Sequence, residues 1–294
     1  RLTVSREPTV DDVREAIALA QECDVVLGLG GGSVIDLAKA AAALVGADDP
    51  VDHLEVIGRG RPLPGSALPV VAVPTTAGTG SEVTANAVIA SPPDGVKVSV
   101  RGPTLLPVAA IVDPLLTVSC PRKVTAAAGL DAFTQCLEPF VSPMATPLTD
   151  GFARTGLAAA GRSLRQAYSE GSDVDARSDM SLCSLLGGMA LANSKLGAVH
   201  GIAGVVGGMT GASHGAICAA LLPSVVTVTV AALRDRSPQA PALARYGRVA
   251  ELVNGDRSTR VEDLVAWIRE TCQQLSMPGL GSLGLSSEQI DAVV

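Results

Sequence analysis

The first fifty residues combine an amphipathic segment with a continuous apolar one. In residues 9–23 the apolar positions Val13 and Ile17 recur with the 3.6-residue period of a helix. Residues 24–29 then form an uninterrupted apolar run, as expected of a parallel strand that is covered on both faces. A glycine-rich turn and an alanine-rich helix over residues 34–45 follow. This order of elements predicts an α/β unit built on a parallel sheet.

Further short runs of β-branched and apolar residues predict more strands before residue 116. These runs cover residues 70–73, 85–90, 96–100 and 109–114. The run at 96–100 alternates between apolar and polar positions, as a half-buried strand does, with Lys97 on one face. The strand signal ends near Leu116.

Helical periods take over from residue 121 onward. They predict helices over residues 124–141, 147–168, 176–196, 200–206, 214–233, 240–252 and 261–275, with proline or glycine between them. We therefore predict two domains, an α/β domain over residues 1–116 and an all-helical domain over residues 117–294. A helix start is also predicted at Ser286, and because the chain stops at Val294 we expect its C-terminal end to be missing.

Composition narrows the class of partner. The net charge is −7 and the lysines and arginines form no cluster, so nucleic acid is not an expected partner. The six cysteines are scattered singly without a CxxC pair, which favours a reduced, cytoplasmic protein. The uncharged run 216–233 has the length of a membrane span, but Pro223 interrupts it. We predict a buried helix that is broken or kinked at this proline, and no membrane partner.

Three adjacent glycines separate the first strand from its helix, in the order Gly30-Gly31-Gly32-Ser33. Such a turn at a helix N-terminus binds phosphate, because backbone amides approach the anion closely and the helix dipole favours its charge. In the alternative, Ser33 is an N-cap and forms a capping-box-like pair with Asp36, with no ligand. We favour phosphate because adjacent glycines cost chain entropy unless the backbone must approach something. The loop 75–84 adds hydroxyls that can bind ribose, carboxamide or phosphate oxygens.

A polar stripe interrupts the first helix of the C-terminal half. Asp131 and Gln135 are four residues apart and project from one helix face, and Glu138 continues the stripe. Two of the chain's three histidines, His200 and His214, follow in apolar, glycine-rich surroundings. A carboxylate, an amide oxygen and two imidazoles can surround a divalent ion. The alternative is two core histidines that are hydrogen-bonded to backbone carbonyls.

In this order the motifs resemble the iron-containing (group III) alcohol dehydrogenase family, whose relatives include dehydroquinate synthase and glycerol dehydrogenase. The resemblance spans nearly the whole chain and rests on Gly30–Ser33 with Asp36 and Lys39, Pro74–Thr84, Lys97, Asp113-Pro114, Gly129–Ala132, Leu196-Gly197 with His200, and His214-Gly215. It implies a Rossmann-like NAD(P)-binding domain, a helical metal and substrate domain, and a cleft between them where hydride moves. It also implies that roughly two βα units are missing before the glycine turn.

The resemblance assigns cofactor-binding roles to nine residues. Four would hold the pyrophosphate and nicotinamide ribose: Gly31, Gly32, Ser33 and Asp36. Four would line the rest of the dinucleotide: Thr75, Thr76, Thr79 and Ser81. The ninth, Lys97, would reach the nicotinamide ribose or the substrate and is also a candidate catalytic residue.

The resemblance likewise implies a metal site, with two departures from the family. Asp131, His200 and His214 fall on three of the four ligand positions and are the other candidate catalytic residues. Gln135 occupies the fourth position, where the family has histidine, and Gly204 stands where many members have a further histidine thought to relay protons. An amide donates more weakly than an imidazole, so we expect weakened binding of iron or zinc and a shift toward harder ions.

The expected function is hydride transfer between NAD or NADP and a small alcohol, aldehyde or keto acid, with a divalent metal polarising the substrate oxygen. The alternatives are a maleylacetate reductase type, a metal-independent reductase, and a degenerate member that binds nucleotide without turnover. A sugar-phosphate cyclase would need basic residues near the metal, and the segments that carry the ligands have few. A small-molecule substrate and a homodimer are the expected partners.

Overall fold

The computed structural model describes residues 1–293, and its elements follow the predicted order. The strands are β1 (Val26–Gly30), β2 (Val70–Pro74), β3 (Asn86–Ser91), β4 (Val96–Arg101) and β5 (Ala109–Ala110). The α-helices are α1 (Val10–Ala20), α2 (Gly32–Leu44), α3 (Arg122–Val141), α4 (Pro147–Ser169), α5 (Val174–Ser194), α6 (Ala198–Thr210), α7 (His214–Arg236), α8 (Pro241–Asn254) and α9 (Val261–Gln274). The predicted fold class, a parallel sheet followed by helices, is confirmed. The boundary at residue 116 stays a prediction.

The strands form two separate sheets. β1, β2 and β5 make a parallel sheet in that order, with Gly28 opposite Ala72, whereas β3 and β4 pair as an antiparallel hairpin. β5 covers two residues, so the predicted strand over 109–114 is too long. Further along the chain, the Asp113 side chain accepts a hydrogen bond from the amide of Leu115 and caps a 3₁₀ turn that begins at Pro114.

Only one face of β1 is covered within residues 1–293. Gly28 is buried against α2, where an added Cβ would lie 3.0 Å from the Cβ of Ala38. Leu27 and Leu29 point to the opposite face and are 61% and 54% exposed. The expectation that this strand is covered on both faces is therefore wrong for the described residues, because an apolar run does not reveal how many faces find a partner.

The helical half is organised around α3. Every residue from 129 to 140 is buried, and α4, α5 and α7 pack against this helix. A helix that is buried on all sides is normally apolar all round. Helix α3 departs from this rule at Asp131, Gln135 and Glu138, which are 1%, 3% and 6% exposed. Buried polar groups need partners, so these three side chains mark the place where the packing serves something besides the core.

Helix α7 is continuous through Pro223, so the predicted break does not occur. Proline removes the hydrogen bond to the carbonyl four residues earlier. That carbonyl, on Ala219, instead accepts a hydrogen bond from the Cys272 thiol, with sulfur and oxygen 3.6 Å apart. All six cysteines carry free thiols.

Among residues 1–293, α7 has the length and apolar composition to cross a membrane. Helices α5 and α6 together also have this length and composition, but they are bent by 100° where they meet. In the most apolar 18-residue stretch of α7, 44% of the residues are buried inside the protein. Core helices of soluble proteins pass this test too, so it is weak evidence for a span.

The predicted helix start near the C-terminus is present as a cap. The Gln289 side chain accepts a hydrogen bond from the amide of Ser286, and the Ser286 side chain accepts one in return. The helix that follows is a 3₁₀ helix, Ser287–Ala292. Val294, where the sequence stops, lies outside the described residues.

Two glycines of α4 form a matched pair that tests how closely the helices pack. Alanine is favoured over glycine in a helix interior by about 1 kcal/mol. An added Cβ at Gly151 meets nothing within 4 Å, whereas one at Gly161 would lie 2.6 Å from the Cα of Val253 in α8. We expect Gly151→Ala to raise the free energy of unfolding by up to about 1 kcal/mol. We expect Gly161→Ala to lower it by about 1–3 kcal/mol. Urea denaturation measures both, and equal changes would contradict the packing of α4 on α8.

Candidate active site

Three helices bring the predicted acid and the two predicted histidines together. Asp131 lies on α3, His200 on α6, and His214 is the first residue of α7. The Oδ1 atom of Asp131 is 3.3 Å from Nε2 of His200 and 3.8 Å from Nε2 of His214. The two imidazole centroids are 5.3 Å apart. Within the described residues neither ring is hydrogen-bonded to a backbone carbonyl, so the alternative of two histidines bonded to carbonyls is wrong.

A glycine lets α7 approach α3 closely enough for this contact. An added Cβ at Gly215 would lie 2.5 Å from the carbonyl oxygen of Ala127 and 3.3 Å from the Cβ of Asp131. Any side chain at this position would push the two helices apart. Since His214 directly precedes Gly215, the close approach also fixes where its ring enters the site.

Glu138 is the functional residue whose role the sequence did not reveal. Its Oε2 atom is 2.7 Å from Nδ1 of His200, and its Oε1 atom accepts a hydrogen bond of 2.7 Å from the amide of Val199. The second contact caps the N-terminus of α6, which has no cap from its own Gly197. The first contact holds the Nδ1 proton and turns Nε2 toward Asp131, as carboxylates do for histidines at metal sites. Its place in the polar stripe was the available signal.

Burial and charge act against each other at this site. Burial disfavours the charged form of His200, but the hydrogen bond with Glu138 and the nearby charges of Asp131 and Glu138 outweigh it and raise the pKa of His200 to about 9. Burial likewise acts to raise the pKa of Asp131 and Glu138. The two histidines hold the pKa of Asp131 below its usual range, and His200 with the amides of Gly197 and Val199 does the same for Glu138. For His214, burial lowers the pKa more than the charge of Asp131 raises it. The site therefore holds two carboxylates and one imidazolium at neutral pH.

The donor atoms fit a divalent ion. Asp131 Oδ1 and His200 Nε2 are buried and have no hydrogen-bond partner. Unpartnered buried polar atoms are costly. A carboxylate oxygen and an imidazole nitrogen that face each other both offer a lone pair, and metal ions take such atoms as ligands. The donor atoms of Asp131, His200, His214 and Cys218 all lie within 4.8 Å of one another. Cys218 is an addition to the predicted set, and its position four residues after His214 was the signal.

Gln135 does not join this cluster through its nitrogen. The amide donates a hydrogen bond of 3.1 Å from Nε2 to Oδ2 of Asp131. The Oε1 atom is buried without a hydrogen-bond partner. The amide thus binds the Oδ2 atom of Asp131, while the Oδ1 atom of the same carboxylate faces the histidines. Gly204 is the other position at which this chain departs from the family. A Cβ added there meets nothing within 4 Å.

The glycine turn forms an open helix N-terminus. Gly31 is the N-cap of α2, the helix begins at Gly32, and no side chain caps it. Ser33 therefore lies inside the helix, and the alternative in which it caps α2 with Asp36 is wrong. The Asp36 carboxylate instead accepts hydrogen bonds from the Ser81 hydroxyl and, at 2.9 Å, from the amide of Val88. The first amides of α2 have no intrahelical partner and are available to an anion.

The threonine loop connects this turn to α3. The amide of Thr75 donates to the carbonyl of Gly30 at 2.9 Å. A Cβ added at Gly31 would lie 3.4 Å from the Thr76 hydroxyl, and one added at Gly32 would lie 2.6 Å from the Thr79 hydroxyl. At the other end of the loop, an added Cβ at Gly78 would lie 2.8 Å from the Cβ of Ala128.

Since Ala128 precedes Asp131 by one helical turn, the same loop contacts the glycine turn and the helix that carries the acidic cluster. Of the residues assigned to the cofactor, Gly31, Gly32, Thr76 and Thr79 lie where the loop meets the turn.

A buried lysine, Lys39, holds the C-terminal end of the threonine loop through hydrogen bonds. Lys39 is fully buried, and its Nζ donates to the carbonyl and hydroxyl of Ser81 at 2.8 Å each and to the Thr84 hydroxyl at 3.2 Å. Burial lowers the pKa of Lys39, although Asp36 at 3.3 Å opposes this. Ser81 and Asp36 therefore hold the loop against α2, and the resemblance did not assign them this role.

Lys97 lies beside the turn between α6 and α7. Its Nζ is 2.9 Å from Oε1 of Glu7 and donates to the carbonyl of Ala212 at 3.1 Å. Ala212 precedes His214 by two residues. The lysine is thus close to the histidine end of the site, and its side chain is 10% exposed.

Comparison with known proteins gives a consistent family. The family model for "Iron-containing alcohol dehydrogenase" matches residues 2–114, and that for "Fe-containing alcohol dehydrogenase family, C-terminal" matches residues 125–294. Long-chain-alcohol dehydrogenase 1 of Geobacillus thermodenitrificans is 44% identical over 75% of this chain and 56% of its own length. The 4-hydroxybutyrate dehydrogenase of Cupriavidus necator is 35% identical over 98% of this chain and 75% of its own length.

The fold agrees with these matches. The sulfoacetaldehyde reductase of Bifidobacterium kashiwanohense, solved in complex with NAD⁺, superposes with a TM-score of 0.85 at 30% identity, over 98% of this chain and 74% of its own. The match to the Geobacillus enzyme spans little more than half of that relative. The resemblance that the motifs indicated is confirmed, and the chain belongs to the iron-containing alcohol dehydrogenase family.

Proposed function

We propose that the protein transfers hydride between a nicotinamide dinucleotide and a small alcohol, aldehyde or keto acid, at a site that holds a divalent metal ion. The observation that carries this proposal is a single loop that contacts both the open N-terminus of α2, through Thr76 and Thr79, and the helix of the acidic cluster, through Gly78. A dinucleotide needs both features, a phosphate site and a polar groove that leads to the reacting centre. The bound NAD⁺ of the Bifidobacterium reductase supports the same cofactor class.

The cofactor side of the site is built from backbone and hydroxyl groups. The free amides at Gly32 and Ser33 would bind the pyrophosphate, where the dipole of α2 favours its charge. The hydroxyls of Thr76 and Thr79 lie at the same turn and would donate to ribose or phosphate oxygens. A side chain at Gly32 would collide with Thr79 and displace this hydroxyl from the turn. The lysine and aspartate beneath the loop keep it in place during binding.

On the metal side, Asp131, His200 and His214 would hold the ion. A divalent ion bound there supplies Lewis acidity to a carbonyl or alkoxide oxygen. Asp131 provides a negative charge inside an otherwise apolar helical core, and Glu138 keeps the Nδ1 proton of His200 so that Nε2 is the donor. Asp131 and His200 are buried, whereas the His214 side chain is 34% exposed, so the cluster is accessible from the side of His214.

The first prediction of this proposal is turnover. The protein loaded with Zn²⁺ or Fe²⁺ should oxidise NADH or NADPH at 340 nm in the presence of a panel of short aldehydes and keto acids, one cofactor per carbonyl consumed. His214→Ala should lose this activity, because it removes a donor. Cys120→Ser, which changes a thiol outside the cluster, should keep it. Absence of turnover with every metal and carbonyl tested would contradict the proposal, and full activity in chelator would favour the metal-independent reductase.

The second prediction concerns pH and the metal-free protein. The pKa of His200 is about 9 in the fold, above its ordinary value of 6.5. A group whose pKa is raised by folding contributes stability that is fully present below the unfolded value and is lost as pH rises through the folded value. We therefore expect the thermal midpoint of the metal-free protein to fall between about pH 6.5 and 9. Differential scanning calorimetry in chelator measures this midpoint.

Glu138→Gln is the matched variant for the pH experiment. Removing one of the two carboxylates lowers the pKa of His200 toward its ordinary value, so the fall in the midpoint should still begin near pH 6.5 but end at a lower pH and be smaller. Metal should reverse the trend, because it competes with the proton at His200 and its affinity rises with pH over the same window. An identical pH profile for the variant and the unaltered protein would contradict the assignment of Glu138.

A further inference from the structure

The acidic cluster contains one donor that the family resemblance does not assign. Cys218 lies on α7 four residues after His214, so both side chains project from the same helix face. The Cys218 Sγ atom is 3.6 Å from Nε2 of His214. Cys218 is buried, and its sulfur joins the donor atoms of Asp131 and His200 within 4.8 Å.

Two distances within the cluster match those of one coordination sphere. With Zn–S near 2.3 Å and Zn–N and Zn–O near 2.0–2.1 Å, tetrahedral ligands lie about 3.6 Å apart for sulfur and nitrogen and about 3.3 Å apart for nitrogen and oxygen. The structure has 3.6 Å between Cys218 and His214 and 3.3 Å between His200 and Asp131. The separation between His214 and Asp131 is 3.8 Å, and the other pairs of donor atoms lie within 4.8 Å of each other. A single ion can reach all four donors when the wider separations contract.

Gln135 has a different role in the same cluster. Its amide nitrogen is engaged with Oδ2 of Asp131, on the carboxylate oxygen that does not face the histidines. In this position the amide orients the aspartate. The two helices thus each present an i, i+4 pair, Asp131 with Gln135 on α3 and His214 with Cys218 on α7. The α7 pair offers two donor atoms to the cluster, whereas in the α3 pair the amide nitrogen of Gln135 is hydrogen-bonded to Asp131.

We propose that the Cys218 thiolate is a metal ligand, which takes the place of the imidazole that the family carries at position 135 and makes the site selective for Zn²⁺. The proposal rests on the metal centre of the proposed function. When the Zn–S bond forms, the thiol proton passes to solvent, and nothing is oxidised or reduced. Two anionic ligands, Asp131 and Cys218, then balance the charge of the ion. Thiolate favours zinc over the harder ions that carboxylate and water prefer.

With Cys218 as a ligand, the expected metal preference is the opposite of the one that Gln135 alone predicts. An amide at this position predicts a weak site for harder ions, whereas a thiolate at Cys218 restores a soft donor. Four protein ligands leave a substrate oxygen to enter as a fifth, an expansion that catalytic zinc sites undergo.

Cobalt substitution tests the proposal without any activity measurement. Co²⁺ takes the same ligands as Zn²⁺ but absorbs light, and a bound thiolate adds a sulfur-to-cobalt charge-transfer band in the near ultraviolet. We expect the metal-free protein titrated with Co²⁺ to develop this band together with visible ligand-field absorption. Cys218→Ser should lose the near-ultraviolet band and bind Zn²⁺ at least about 10- to 100-fold more weakly, since even loss of a group one shell further out costs that much.

Three variants serve as controls. Cys120→Ser removes a thiol outside the cluster and should keep both the band and the affinity. Gln135→Ala should keep the band and lose less affinity than Cys218→Ser. The double variant Cys218→Ser with Gln135→His should regain Zn²⁺ affinity without regaining the band, because an imidazole returns to the face of α3 that carries Asp131.

The outcomes separate this proposal from the proposed function. Cobalt binding without the charge-transfer band in the unaltered protein, or a band that persists in Cys218→Ser, overturns Cys218 as a ligand and leaves the metal centre standing. No cobalt or zinc binding at all overturns both. If Cys218→Ser does not fold, the spectrum of the unaltered protein beside that of Cys120→Ser decides. Turnover of NAD(P)H is measured separately and does not enter this test.

Discussion

A carboxylate buried in a helical core is the constraint on which the rest of this structure depends. Asp131 is 1% exposed, and an isolated charge at such a depth would cost several kcal/mol. Two arrangements offset that cost in the metal-free protein. His200 is held as an imidazolium with a pKa of about 9, and the Gln135 amide donates to one carboxylate oxygen. A metal ion would replace the proton of His200 and take the other oxygen, which has no hydrogen-bond partner. The carboxylate stays charged while buried because the neighbouring amide and imidazole stabilise its negative charge.

Glycines determine how close the elements around this charge can come. Gly215 lets α7 touch α3, Gly78 lets the threonine loop touch α3, and Gly197 leaves room for the Glu138 carboxylate at the start of α6. At each position an added Cβ would lie less than 3 Å from a neighbouring atom. These glycines let the threonine loop, α6 and α7 pack closely around α3. The contacts around the acidic cluster are thus packing properties, set by residues that carry no chemistry.

Much of this arrangement could be predicted from the sequence, and the failures have physical causes. The i, i+4 spacing of Asp131 and Gln135 and the glycine setting of His200 and His214 identified the cluster, because helix geometry is local. The partners of Glu138 and Cys218 could not be read, since they depend on how three helices meet. Ser33 was interpreted as a possible cap, but the helix begins one residue earlier, at Gly32.

Longer-range contacts account for the other differences. Pro223 was expected to break or kink α7, yet the carbonyl it frees finds the thiol of Cys272, 53 residues away. The apolar run of β1 indicated a strand but not that its Leu27 face stays exposed within residues 1–293. In both cases the local pattern indicated the right element, a helix and a strand, but not its tertiary partner.

The central claim is that Asp131 is the charge around which a metal centre is assembled, and its isosteric variant tests that claim most directly. Asp131→Asn keeps the size of the side chain and removes its charge. The measurement is the Zn²⁺ affinity of the variant and of the unaltered protein at pH 7.5, by competition with a chromophoric chelator. The account predicts a loss of at least about 100-fold, the upper end of what a single supporting group contributes. Equal affinities would contradict it.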